Sequence, residues 1–158
     1  MGLTMKDSAM APTRVASRTQ KGRLHATRRI LPVLTREAGE GERLTHITDA
    51  AIDAMKSAGL LHLLLPAALQ GEQVCYIDAM EILELIAWAD GSAGWYAMVA
   101  NAAAASVGAY LPAEGADIVY GDNPLAMVAG QGAPRGTAKP GAGGFLVNGP
   151  WGFGRTAF

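Results

Sequence analysis

Gly143-Gly144-Phe145-Leu146-Val147-Asn148-Gly149-Pro150-Trp151-Gly152-Phe153 is the stretch on which the fold turns. A glycine-rich turn feeds Gly144–Asn148, a run of strand length. Gly149-Pro150 then suggests a bulge, and Trp151–Phe153 can extend the strand beyond it. Leu125–Ala129 is a further candidate strand upstream, and glycine is concentrated from Gly130 to Gly154. Two or three strands by themselves leave sheet edges open and an apolar face uncovered. Residues 121–158 are therefore expected to be the start of a β-domain that is incomplete here.

Working back from that stretch, the texture is helical. Leu24, Ile30, Leu31, Leu34 and Ala38 recur at helical spacing, with Pro32 inside the run and Gly39 and Gly41 expected to end it. A second helix is expected where Thr48 or Asp49 can cap, Ile52, Met55 and Leu60 form a stripe, and Gly59 closes the end. Leu60 to Gly71 reads as an apolar connection with irregular backbone at Pro66. Tyr76, Met80, Leu83 and Ala87, widened by Ala79, Ile82 and Ile86, mark a third helix. Ser92 is expected to cap a fourth, Trp95 to about Tyr110, whose Ala102–Ala105 run permits close helix approach. Pro112 to Asp117 suggests a last short helical turn. The fold class is α+β: an N-terminal α-helical bundle domain over residues 21–120, then the first strands of the β-domain, with residues 1–20 a solvated tail.

Composition narrows the function classes. Half of the 158 residues are hydrophobic, the formal net charge is −1, and aromatic residues are few, a globular balance. No apolar run reaches the roughly 18–20 residues of a membrane span. Residues 1–30 are basic, with Asp7 the single acid, yet without the aromatic interleaving or amphipathic repeat of a nucleic-acid arm or a transit peptide. A cytoplasmic location with no nucleic-acid or membrane partner is expected. Cys75 is the only cysteine, so no intrachain disulfide forms, and it reads as a small buried hydrophobe. His25, His46 and His62 are scattered, and no metal site is expected. Trp88 and Trp95 read first as core residues. Asp78, Glu81 and Glu84 read as a solvated helix face.

Three segments in this order resemble the acyl-CoA dehydrogenase superfamily, most closely its flavin-dependent monooxygenase branch, the oxygenase components that hydroxylate aromatic compounds. Ala87-Trp88-Ala89-Asp90-Gly91-Ser92-Ala93-Gly94-Trp95 is similar to the family's A-x-x-D-G-S-x-x-W junction between two helices. Val128-Ala129-Gly130-Gln131-Gly132-Ala133-Pro134-Arg135-Gly136-Thr137-Ala138 resembles the first strand and loop of the middle β-domain. The stretch from Gly143 to Phe153 resembles the hairpin GGY-x-V-x-G-x-W-x-F. The likeness spans about Leu24 to Phe153.

The resemblance implies a bound flavin, FAD or FMN, lying between the middle β-domain and a C-terminal helical bundle absent from this chain. It places Val128, Ala129 and Gly130 at the flavin edge, Gly136 and Thr137 near its other polar groups, and Trp151 and Phe153 against the ring. Glycine lets backbone N–H groups approach a planar ring closely, and Thr137 offers a hydroxyl. A plain Gly/Pro turn between strands accounts for much the same composition, and the loop is neither G-x-G-x-x-G nor a Walker loop. Substrates of the family pass near the fourth helix, which implicates Trp95 and Asn101. Some monooxygenases carry a histidine on that helix, where this chain has none and offers Asn101, Ser92, Ser106 and the tyrosines Tyr96 and Tyr110. Arg155 stands where the family has Ser or Thr, and Thr156 where the branch has Gly. Dehydrogenase members take their general base, a Glu, from the C-terminal domain; no residue here is assigned that role, and no catalytic residue is named.

Three functions stay open at this level. One is part of an aromatic-hydroxylating flavin-dependent oxidoreductase, not fully active alone, with a flavin reductase partner, an aromatic substrate and homo-oligomeric full-length relatives. The second is an acyl-CoA dehydrogenase acting on the CH–CH group of an acyl thioester. The third is a non-catalytic helical interaction module or decayed gene product.

Overall fold

The computed structural model of the chain describes residues 19–130 and 135–150. Five helices precede a two-stranded hairpin: α1 Gln20–Leu44, α2 Asp49–Ser57, α3 Tyr76–Ala89, α4 Gly91–Tyr110, α5 Ala113–Tyr120, β1 Thr137–Gly141 and β2 Gly144–Asn148. The α+β class is as expected from the sequence.

α1 begins earlier and ends later than its apolar pattern indicates. The Thr19 hydroxyl accepts from the Gly22 amide at 3.2 Å, capping the helix five residues before Leu24. Pro32 lies within it, and the helix runs through Gly39 and Gly41 to Leu44. An interior glycine costs only about 1 kcal/mol relative to alanine. Burial of Leu34 and packing of Leu24, Ile30 and Leu31 on the core outweigh that local weakness. Polar groups fasten α1 to the rest. The buried Arg23 meets Glu72 through its guanidinium at 3.0 Å, and the Gln20 amide donates to the Asp78 carbonyl and the Glu81 carboxylate.

α2 starts where its cap is expected, with the Thr48 hydroxyl accepting from the Ala51 amide, and Gly59 follows its end with φ of 69°. Ala51, Ile52 and Met55 are its buried face. The junction between α3 and α4 is capped by Asp90 rather than Ser92: its two carboxylate oxygens accept from the amides of Ser92 and Ala93 at 3.0 and 3.3 Å. A carboxylate can serve two of the orphan N–H groups at once, whereas Ser92 already lies inside the helix. At Gly94 a Cβ would stand 2.6 Å from the Ala87 Cβ, so only glycine permits the close crossing of α3 and α4.

The core face of α3 is Ala79, Ile82, Leu83 and Ile86, while Tyr76 and Ala87 are exposed. On α4, Ala93, Tyr96, Ala97, Ala100, Asn101 and Ala104 turn inward. That phase puts Trp95 on the outer side, 56% exposed, and Trp88 is 82% exposed. Neither tryptophan is a core residue, because the small-residue face of α4 claims the contact with α3. Cys75 is likewise exposed, at the N-cap of α3.

The connection from Leu60 to Val74 is irregular yet buries four leucines. Leu60, Leu61, Leu63 and Leu65 are nearly inaccessible, each worth roughly 1.5–3 kcal/mol of burial. Its backbone pairs internally: the amides of Glu72, Gln73 and Val74 donate to the carbonyls of His62, Leu65 and Leu63. A single 3-10 turn covers Ala67–Leu69.

Leu125–Ala129 is irregular rather than a strand. The partner of Gly144–Asn148 is instead Thr137–Gly141, antiparallel, with Thr137 opposite Asn148 and Gly141 opposite Gly144. Gly143, with φ of 83°, lies in the turn between them. The low β-propensity of Thr-Ala-Lys-Pro-Gly hides β1 from sequence, and Pro140 is tolerated because β1 is an edge strand. Phe145, Leu146 and Val147 are 70%, 72% and 57% exposed.

Candidate functional site

α3 and α4 together line an apolar groove of about 720 Å³. α3 contributes Tyr76, Met80 and Leu83, α4 contributes Met98, Val99, Ala102, Ala103, Ser106, Val107 and Tyr110, and Leu64, Leu111, Val128 and Gly130 complete the lining. Among the described residues that line it there is no charged side chain; its polar side chains are those of Tyr76, Ser106 and Tyr110. Ser106 donates to the Ala102 carbonyl at 2.8 Å. This combination of volume, apolar wall and few polar groups is that of a small-molecule site.

The segment reaching Val128 and Gly130 is held on the helices by His62. Its Nε2 lies 2.9 Å from the Ala126 carbonyl, which fixes the proton on that nitrogen, and its ring meets Tyr120 edge-on at 6.2 Å. Burial pushes the His62 pKa down, against the Ala126 carbonyl, which favours the charged form; Lys56 adds to the lowering. Burial also raises the Tyr120 hydroxyl, which has no hydrogen-bond partner among the described residues. Tyr120, Leu65 and Ala104 form a small second core beneath Val128.

The expected site residues divide into groups. Val128, Ala129 and Gly130 lie together, with Val128 and Gly130 on the groove. Ala129 and Gly130 are exposed, and a Cβ at Gly130 would meet nothing within 4 Å. Their backbone is thus open to a flat ligand. Gly136 and Thr137 are exposed at the base of the hairpin, where the Thr137 hydroxyl donates to the Asn148 carbonyl at 3.3 Å. Trp151 and Phe153 lie outside the described residues. Trp95 is exposed on the first turn of α4 and is not part of the groove lining. Asn101 is fully buried and binds the Leu60–Leu64 connection rather than facing the groove. Sequence reasoning missed Tyr76, Met80, Met98 and Tyr110 as groove residues. The signal available was that α3 and α4 each carry more apolar residues than one buried stripe needs.

No family model matches the chain. Indole-3-acetate monooxygenase of Pseudomonas putida is 36% identical over 113 residues, covering 72% of this chain and 28% of that protein. The oxygenase subunit HsaA of a flavin-dependent monooxygenase from Rhodococcus jostii is 29% identical over 122 residues, 77% of this chain and 32% of the relative. The chain is homologous to part of the flavin-dependent monooxygenases. The fold agrees: 3-HSA hydroxylase from a Rhodococcus species superposes with a TM-score of 0.76 at 26% identity, over 81% of this chain and 33% of that one. XiaF from a Streptomyces species, at 24% identity and a TM-score of 0.77, shares the fold. The chain spans about a third of the length of these monooxygenases.

Proposed function

We propose that this chain forms part of a flavin-dependent monooxygenase that hydroxylates an aromatic substrate. The observation that carries the reading is the apolar groove bordered by Val128 and Gly130, in a chain homologous to such enzymes. In this reading Val128 and the exposed backbone of Ala129 and Gly130 hold the edge of FAD or FMN, Gly136 and Thr137 lie near its polar side, and the groove holds the substrate ring. Trp95, Asn101, Trp151 and Phe153 keep their assignments from family resemblance. The flavin supplies oxygen activation when bound, with reducing equivalents from a separate flavin reductase. What the chain's own residues contribute is a dry wall: Met80, Leu83 and Val128 exclude water from the substrate's side. The cytoplasm is the proposed location.

The dehydrogenase alternative is less favoured, because the curated relatives the chain matches are monooxygenases. A non-catalytic interaction role draws support from the exposed Phe145, Leu146 and Val147 on the hairpin. Titration of the purified chain with FAD and with FMN separates the readings. Saturable quenching of flavin fluorescence is expected for the first. Absence of quenching, together with self-association in sedimentation, favours the interaction role.

A further inference from the structure

His62 is fixed at its backbone and reaches a segment far along the chain. Its carbonyl accepts from the Glu72 amide at 3.2 Å, and the next two amides, Leu63 and Leu64, donate to the buried Asn101 side chain. From this anchored point the His62 Nε2–H donates to the Ala126 carbonyl at 2.9 Å, across 64 residues of sequence. Residues 126–130 belong to no helix or ladder, so their orientation has to come from such contacts. Ala126 and Val128 pack beside Leu65, Ala104 and Tyr120, and Met127 packs on the main core. Those apolar contacts hold the segment down but are non-directional. A hydrogen bond is directional, and the one from His62 fixes the Ala126–Met127 peptide plane, directly before Val128. Tyr120, edge-on to the imidazole at 6.2 Å, walls one side of that ring. We infer that His62 is a positioning residue: it sets the direction in which the exposed backbone of Ala129 and Gly130 faces, and thereby sets the affinity for flavin without touching it. The inference rests on flavin contact at Val128–Gly130 in the proposed monooxygenase.

Three forms of the whole chain test it: the unaltered protein, His62→Phe and His62→Gln. Phenylalanine keeps a ring against Tyr120 but has no donor, whereas the glutamine amide nitrogen can take the place of Nε2. Two readouts are used: fluorescence quenching of FAD and of FMN, and the amide NMR signals of Ala129 and Gly130 without flavin. His62→Phe is expected to bind flavin about two- to tenfold more weakly, the size of one neutral hydrogen bond, and to shift both amide signals. His62→Gln is expected to restore most of the affinity and of the signal positions. Affinity is measured below the unfolding transition of every form, so a loss of stability alone leaves it unmoved. Should His62→Phe fail to fold, His62→Met against His62→Gln makes the same comparison of no donor with donor. Unmoved Ala129 and Gly130 signals in the donorless variant would overturn the inference. So would a flavin affinity equal to that of the unaltered chain, or a His62→Gln variant as impaired as His62→Phe. If the unaltered chain binds no flavin, the monooxygenase reading fails, and the amide signals alone decide whether His62 orients the segment.

Discussion

The Asn101 side chain accepts the Leu63 amide hydrogen at 2.7 Å, across 38 residues of sequence. The same oxygen accepts from the Leu64 amide at 3.3 Å, while its amide nitrogen donates to the carbonyls of Leu60 and Ala97. One fully buried side chain thus satisfies three backbone groups of a connection that lacks regular structure. Leu64, fixed in this way, is part of the groove wall.

Replacing Asn101 with Leu removes those partners while filling the space. Leaving several buried backbone groups unpaired is expected to cost about 2–4 kcal/mol in urea unfolding. A loss below about 0.5 kcal/mol would show that water replaces the side chain.

Arg23 and Glu72 form a nearly buried ion pair joining α1 to the end of the Leu60–Val74 connection, with side chains 9% and 13% exposed. Arg23→Met breaks this pair and is expected to destabilise by about 1.5–3 kcal/mol. Adding Glu72→Leu to that variant is expected to recover much of the loss, and a double-mutant cycle measures the coupling. Strictly additive losses would refute it.

Stability should depend on the protonation of His62. Burial holds it below its ordinary value of 6.5, so the unfolded chain takes up this proton at a higher pH than the folded one. The contribution is fully present above pH 6.5 and is lost as pH falls through the folded-state value. Chemical denaturation at a series of pH values should show this fall, and His62→Phe should flatten it. A profile unchanged by the substitution assigns the pH dependence elsewhere.

The crossing of α3 and α4 predicts opposite outcomes for two glycines of one helix. Gly94→Ala places a Cβ 2.6 Å from the Ala87 Cβ and is expected to cost about 1–3 kcal/mol by overpacking. At Gly91 an added Cβ meets nothing within 4 Å, and alanine there should be neutral or stabilise by up to about 1 kcal/mol. Thermal unfolding of the two variants decides it.

Helices were legible because their signals are local. Thr48 announces α2, Gly59 closes it, and the apolar spacing from Ala79 to Ile86 marks α3 without reference to any distant residue. The strand at Gly144–Asn148 was legible for the same reason. β1 was not, since Thr137–Gly141 becomes a strand only by pairing with β2. Leu125–Ala129 misled in the opposite direction: its apolar residues pack on Tyr120 and the helices instead of joining a ladder. The residues at the flavin edge were reached through motif resemblance, while the groove beside them was not legible, because its wall combines residues from α3, α4 and two connections.

The sequence by itself determined which segments are helical, the cap at Thr48, and the lineage written in Ala87–Trp95 and Gly143–Phe153. Tertiary structure alone decided the facing. It turned Trp88, Trp95 and Cys75 outward, buried Asn101 as a clamp, and gathered Tyr76, Met80, Met98, Tyr110 and Val128 around one uncharged groove. Periodicity records that a helix has an apolar face. Which face meets a neighbour depends on how closely small residues such as Gly94 let the backbones approach, and that contact joins two helices rather than residing in either.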